Sequence, residues 1–245
     1  MIKPNYGIDA PPVIKQLLLV GLFILIVGVI VYFALLKYAS VLAITLFTAS
    51  LFISAFQFIS AGWMLWSSCI GKKYMRDKLI SSLNLQGNEH VLDVGCGRGL
   101  LLIGAAKKLA QDGKAVGIDL WSQQDLSNNQ AVFTNENAVL EGVSDRIEII
   151  SGDMTKMQFE DNIFDAVIAS MSIHNIPTVE KRNDAIREIA RVLKPGGQIA
   201  LLDFQCTKEY QQSLSTLGWE NVLISKRYFW MFPPVRIVTG KKPIP

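Results

Sequence analysis

The stretch VLDVGCGRG, residues 91–99, carries the reading of this chain. Its first half is a short apolar run of the kind that makes a buried strand, and its second half sets glycines at the alternate positions 95, 97 and 99. Glycine permits positive φ and lets a ligand or a neighbouring backbone come closer than a Cβ would allow. The run LLIGAAKKLA at 101–110 follows as a helix whose first N–H groups point back at the loop. Twenty residues past Gly99, Asp119 closes a second apolar strand in GID, where a carboxylate can accept hydrogen bonds from both hydroxyls of a ribose. Glycine loop, helix start and acidic strand end together point to a nucleotide-like ligand.

Outward from the loop, strands and helices alternate. HVLDV and KAVGIDL are joined by the helix just described; RIEIIS, FDAVIAS and GQIALLDF supply three more strands. KKYMRDKLISSLNL, NNQAVFTNENAVLEG and VEKRNDAIREIARVLK are the other helices. This order predicts an α/β fold, a doubly wound and mostly parallel sheet covered on both faces. GWENVLISKRYF and VRIVTGKK are separated only by MFPP, too short for a crossover, so they are expected to pair antiparallel. Lys194, Pro195, Gly196 and Gly197 read as a helix stop and turn.

Before residue 70 the composition changes. Residues 17–36 carry no charge, and neither do residues 38–70; each run exceeds or meets the roughly 20 helical residues that cross a hydrocarbon core. A signal peptide, with an apolar region of only about 7–15 residues, does not fit. Two spans joined around Lys37 predict a transmembrane hairpin that satisfies its backbone internally. Lys3 and Lys15 precede it, and Lys72, Lys73, Arg76 and Lys78 follow it, which places both ends and the domain beyond on the cytoplasmic side. Trp63 and Trp66 stand where an aromatic belt is expected, with Lys72 and Lys73 as charged anchors. The chain accordingly divides into a tail at 1–16, a two-helix hairpin at 17–66, a linker and leading helix at 67–88, and a soluble domain at 89–245. Membrane lipid is therefore an expected partner. Nucleic acid is not, because the formal net charge is only +3 and no long basic stripe with interleaved aromatics follows. Three cysteines without paired spacing predict neither disulfides nor a metal site.

Which ligand the loop takes turns on one spacing. A dinucleotide fingerprint places its glycines as G-x-G-x-x-G, whereas here the third glycine comes one residue early and Leu100 occupies the last position. The G-x-G-x-G arrangement resembles the first motif of the class I S-adenosylmethionine-dependent methyltransferases, and the resemblance extends over residues 74–243. It implies a seven-stranded Rossmann-like sheet with a reversed last strand and S-adenosyl-L-methionine as cofactor. By the same resemblance Asp93, Gly95, Cys96, Gly97 and Gly99 would line the methionyl and ribose portion, and Asp119, with Leu120 beside it, would bind the ribose hydroxyls. Gly152, Asp153 and Met154 would hold the adenine, Asp153 near its amino group and Met154 against its ring. FDAVIASMSIHN resembles the fourth-strand motif, with Ser170 at its edge, and LKPGGQIALLD the turn and fifth strand of small-molecule members.

Among chemistry-bearing residues, His174 follows the fourth strand at the ligand-binding edge and is the first candidate for a general base. Asn175 is its neighbour, able to orient a substrate or cap the turn. Cys96 reads as a small residue suited to a tight loop, and His90 as structural. Trp121 and Trp230 are candidate walls of an acceptor pocket. The expected function is transfer of a methyl group to a small acceptor, hydrophobic and membrane-dissolved if location governs substrate. A catalytically silent membrane-anchored scaffold and an NAD(P)-dependent oxidoreductase are the alternatives.

Overall fold

A computed structural model describes residues 3–110, 112–122 and 129–244. Helices α1 (Pro11–Leu35) and α2 (Ser40–Trp66) form an antiparallel pair joined by a tight turn. Two prolines open α1, where a missing N–H costs nothing, so this helix starts six residues before the uncharged run does. Both helices are long and apolar enough to cross a membrane. They meet through small residues: a Cβ on Gly28 would overlap the Ser50 hydroxyl, and one on Gly21 would stand 3.1 Å from Gln57 and Phe58. Close backbone approach of this kind is how helices associate where burial of apolar surface gives no drive. Their outer faces are bare, with Phe23, Phe33, Phe52 and Phe56 all exposed.

A π-helical turn, Ser67–Gly71, carries α2 without a break into α3 (Lys72–Ser81). The chain then enters a seven-stranded sheet of order β3-β2-β1-β4-β5-β7-β6. Its strands are β1 (His90–Val94), β2 (Lys114–Asp119), β3 (Ile147–Ser151), β4 (Phe164–Ser170), β5 (Leu193–Asp203), β6 (Leu223–Ile224) and β7 (Arg236–Lys241). The first five are parallel; β7 runs antiparallel to β5 and β6 antiparallel to β7. Helices α4 (Leu100–Ala106), α5 (Ala131–Leu140), α6 (Val179–Val192) and α7 (Thr207–Thr216) complete the α/β domain. Successive residues of β1 face opposite layers, Val91 packing with Leu79 and Ile103 on one side, Leu92 with Phe164 and Ile186 on the other.

Three sequence expectations are corrected. The helix stop falls at Val192 as the proline dictates, but residues 194–197 make no free turn: Leu193 already pairs with Phe164, and the segment is a bulge before pairing resumes at Gln198 and Ala166. Of GWENVLISKRYF only two residues form a strand, with one further bridge between Tyr228 and Val235. Lys72 is no headgroup anchor. Its side chain is buried, and its ammonium donates to the carbonyls of Tyr6 (3.0 Å) and Gly7 (2.7 Å) and to Asp9 (2.9 Å), which meets all three of its donors.

The placement of the hairpin follows from these connections. Gln198, where β5 resumes pairing with β4 after the bulge and begins to pair with β7, donates to the carbonyl of Leu83 just past α3, so α3 descends the domain from the carboxyl edge. At that carboxyl edge Arg236 pairs with Asp203, and the 228–235 segment leading into β7 packs on the end of α2. The tail before α1 arrives there as well, Asn5 exchanging hydrogen bonds with Asn137 of α5. Both ends of the hairpin therefore converge on the carboxyl edge of the sheet.

Candidate active site

That edge is where open α/β sheets bind their ligands. The glycine loop is held there by hydrogen bonds that the sequence alone did not reveal. Gly95 and Cys96 donate their N–H groups to the Ile118 carbonyl, and Gly97 donates to Asp119 Oδ2 at 2.8 Å. Gly95, Gly97 and Gly99 have φ of 76, 50 and 81°, values that side-chain-bearing residues rarely adopt. A Cβ on Gly95 would overlap Ser172, and one on Gly99 would stand 2.7 Å from Thr134, so these two glycines admit neighbouring segments of the protein itself. The Cys96 side chain turns inward against Gly117 and Leu102; burial pushes its thiol pKa well up, leaving it a packing residue rather than a nucleophile.

Asp93 lies beneath the loop. Its Oδ2 accepts the Leu102 N–H at 2.8 Å, satisfying a free donor of the first turn of α4. Burial, reinforced by the neighbouring Asp119 charge and opposed by that hydrogen bond, leaves its pKa pushed up to about 8. Asp119 Oδ1 accepts from the Trp121 N–H at 2.6 Å and from Asn129 Nδ2 at 3.2 Å. Asn129 was not anticipated, and its own Oδ1 is buried without a partner among the described residues.

Around this cradle the other expected residues take distinct places. Leu120 is 62% exposed, an apolar side chain left open beside the acidic strand end. The Gly152 N–H donates to the Asp119 carbonyl, Met154 reaches toward Gly95, and Asp153 uses Oδ1 to accept from the Thr155 backbone and hydroxyl. Ser170 ends β4 opposite Leu202. Beyond the ends of β2, β4 and β5 the chain passes through Trp121, Met171 and Cys206, each left-handed with φ near 60°. Three such residues at one edge mark backbone held in a costly shape around a site.

His174 sits in a short 3-10 turn after β4, two residues from the Ser172 that contacts the glycine loop. Its Nδ1 lies 2.9 and 3.0 Å from the two oxygens of Asp203, at the end of β5, and its ring edge meets Phe204. Asp203 is 1% exposed and also accepts from Tyr210 OH at 2.9 Å and from the N–H groups of Phe204 and Gln205. A carboxylate oxygen facing Nδ1 at this distance is the acceptor that orients the ring with its N–H on Nδ1, which leaves the Nε2 lone pair free to accept. The Tyr210 hydroxyl, desolvated and facing a carboxylate, is pushed far above its usual pKa and stays protonated. Asp203 was missed, although LLD ends β5 as GID ends β2. Asn175 donates weakly to the Met171 carbonyl, a turn cap. Trp121 bonds Ser151, whereas Trp230 stacks on Trp66 and Tyr74 at the hairpin base.

Known proteins share this architecture. Residues 92–201 match a family described as a methyltransferase domain. That stretch, which runs from β1 into β5, is similar in sequence to methyltransferase domains. A sterol 4-C-methyltransferase of Caenorhabditis elegans is 35% identical over 57% of this chain and 38% of its own length. A demethylmenaquinone methyltransferase of Lactiplantibacillus plantarum is 30% identical over 60% of this chain and 57% of its own. The chain thus covers little more than half of the curated relatives' length at most. Among solved structures, a SAM-dependent methyltransferase from Aquifex aeolicus superposes with TM-score 0.54 at 19% identity, over 68% of this chain and 88% of that one. A geranyl diphosphate methyltransferase in complex with SAM gives 0.53 at 15%, over 69% and 78%. The cyclase SpnF gives 0.56 at 22%, over 71% and 82%, so this fold also bears other chemistry.

The cofactor of such a methyltransferase domain is S-adenosylmethionine, and the residues present fit it. Among the described residues the Asn129 oxygen beside Asp119 has no donor, and a ribose hydroxyl supplies one; the open Leu120 face suits an adenine ring. A pyrophosphate fits less well, because the Gly97 and Leu102 N–H groups that would receive it are already bonded to Asp119 and Asp93.

Proposed function

We propose that this chain is an S-adenosylmethionine-dependent methyltransferase anchored by a two-span hairpin, with its domain on the cytoplasmic side, transferring a methyl group to a small hydrophobic acceptor taken from the bilayer. The observation that carries the reading is the convergence of both hairpin ends on the carboxyl edge that holds the glycine loop and the His174–Asp203 pair. The names of the relatives, a sterol and a demethylmenaquinone methyltransferase, support an acceptor of that class.

In this reading Asp119 and Asn129 hold the ribose, Asp153, Met154 and Leu120 the adenine, and Gly95, Gly97 and Gly99 the backbone around the methionyl portion. The bound cofactor supplies an electrophilic methyl group on a sulfonium. The protein's task is to hold an acceptor atom at close range on the line of displacement. His174 Nε2 accepts a proton from an acceptor hydroxyl, and Asp203 holds the ring and stabilises the imidazolium that results. Residues 1–16 then form a cytoplasmic tail, 17–66 the spans, 67–88 the link and 89–245 the catalytic domain.

The test is calorimetric titration of detergent-purified protein with S-adenosylhomocysteine and NADH, followed by transfer of labelled methyl from S-adenosylmethionine into membrane extracts. Binding of the sulfur ligand alone, lost in Asp119→Ala, with label in the lipid phase, supports the proposal. Binding of NADH alone defeats it, as does binding without any turnover, the behaviour of a silent scaffold.

A further inference from the structure

The hairpin base carries a cluster of aromatic rings in which the catalytic domain takes part. Trp63 of α2 lies 6.4 Å from the Phe229 ring and 5.0 Å from Phe232, and its indole N–H donates to the Phe229 carbonyl. Trp230 is stacked between Trp66, at 5.3 Å, and Tyr74, at 4.2 Å. The fit is close enough that a Cβ on Gly71 would overlap the Trp230 carbonyl oxygen, and the Ser67 hydroxyl accepts the Phe232 N–H. Segments more than 150 residues apart in the chain are thereby joined into one surface.

Packing does not use this surface up. Phe229 is 60% exposed, and Trp66, Ile70, Tyr74 and Trp230 are exposed as well. The basic residues nearby sort into two groups. Lys72 is spent on the tail, Arg76 pairs with Asp77, and Lys78 lies over the Tyr228 ring. Lys73, Lys226 and Arg227 remain exposed at the margin of the rings. Amphipathic aromatics flanked by free cations at the end of an apolar helix match the headgroup layer of a bilayer, rings at the level of the ester groups and cations against phosphate.

We propose that Lys73, Lys226 and Arg227, with Phe229 and Trp230, form a docking surface for anionic phospholipid headgroups, so that the loop before β7 lies in the membrane interface. This rests on the membrane-anchored reading. The occupant follows from charge: Lys73, Lys226 and Arg227 are exposed and have no ion pair among the described residues, and beside exposed apolar rings they favour an acidic leaflet over a neutral one. The loop leads directly to Arg236, opposite Asp203 in the β5–β7 ladder, so lipid bound there lies at the same carboxyl edge as His174.

The experiment is energy transfer from the protein's tryptophans to dansyl-labelled lipid, with the full chain reconstituted in phosphatidylcholine vesicles. Dansyl-phosphatidylglycerol is expected to be preferred over dansyl-phosphatidylcholine, the preference falling about fivefold for each charge removed in Lys226→Gln and Arg227→Gln and fading in high salt. S-adenosylhomocysteine binding should be unchanged in both variants, which shows them folded. Equal transfer to both lipids, or a preference the two variants leave intact, overturns the docking surface while the hairpin stands. Release of the protein from vesicles by alkaline carbonate overturns the hairpin reading and this proposal with it.

Discussion

Asp93 makes the stability of the fold depend on pH through one buried carboxyl. With its pKa pushed up to about 8 in the fold against 3.8 in the open chain, the folded protein holds a proton that the unfolded chain gives up across that interval. Stability from this group is complete below about pH 4 and is lost as pH rises toward 8, at about 1 kcal/mol per pH unit. Asp93→Asn keeps an oxygen for the Leu102 N–H and should flatten the fall in melting temperature between pH 5 and pH 8. His174→Ala should reduce turnover about 100-fold or more with S-adenosylhomocysteine affinity unchanged. Asp203→Asn should act in the same direction and shift the pH–rate profile, because an amide can leave the ring in the wrong tautomer. His174 was legible from its place after a strand; Asp203 was not, since its partners lie 29 residues back and 7 ahead.

At the level of elements, the central strands were readable because each is a continuous apolar run bounded by turn residues, and the runs ending in Asp119 and Ser170 match β2 and β4 nearly residue for residue. Helix α7 was invisible for the opposite reason: TKEYQQSLST buries only Thr207, Tyr210 and Leu214, too few apolar side chains to show a period. The expected sixth strand shrank because an edge strand has a single partner, which Tyr228 reaches only through an isolated bridge. The burial of Lys72 was unreadable, its acceptors lying more than 60 residues away in the tail. For the hairpin the seam is the sensitive part. Gly28→Val places a branched side chain where the Ser50 hydroxyl already stands, and it should separate α1 from α2; a fall in melting temperature in detergent with ligand affinity retained would show it.

For the whole molecule, the ring cluster and the tail fasten the helices to the domain at two places. Tail and loop even share one side chain, since Asn137 Nδ2 donates both to the Asn5 carbonyl and to the Arg98 carbonyl in the glycine loop. The carboxyl edge of the sheet consequently faces the base of the hairpin, with polar surface at its flanks. In the anchored reading proposed above, the enzyme receives its two reactants from different phases, the charged one from water and the oily one from the sheet of lipid beneath it. Its rate law should then be written in surface concentration. Diluting the acceptor with inert lipid at constant total amount should slow turnover, and adding water should not.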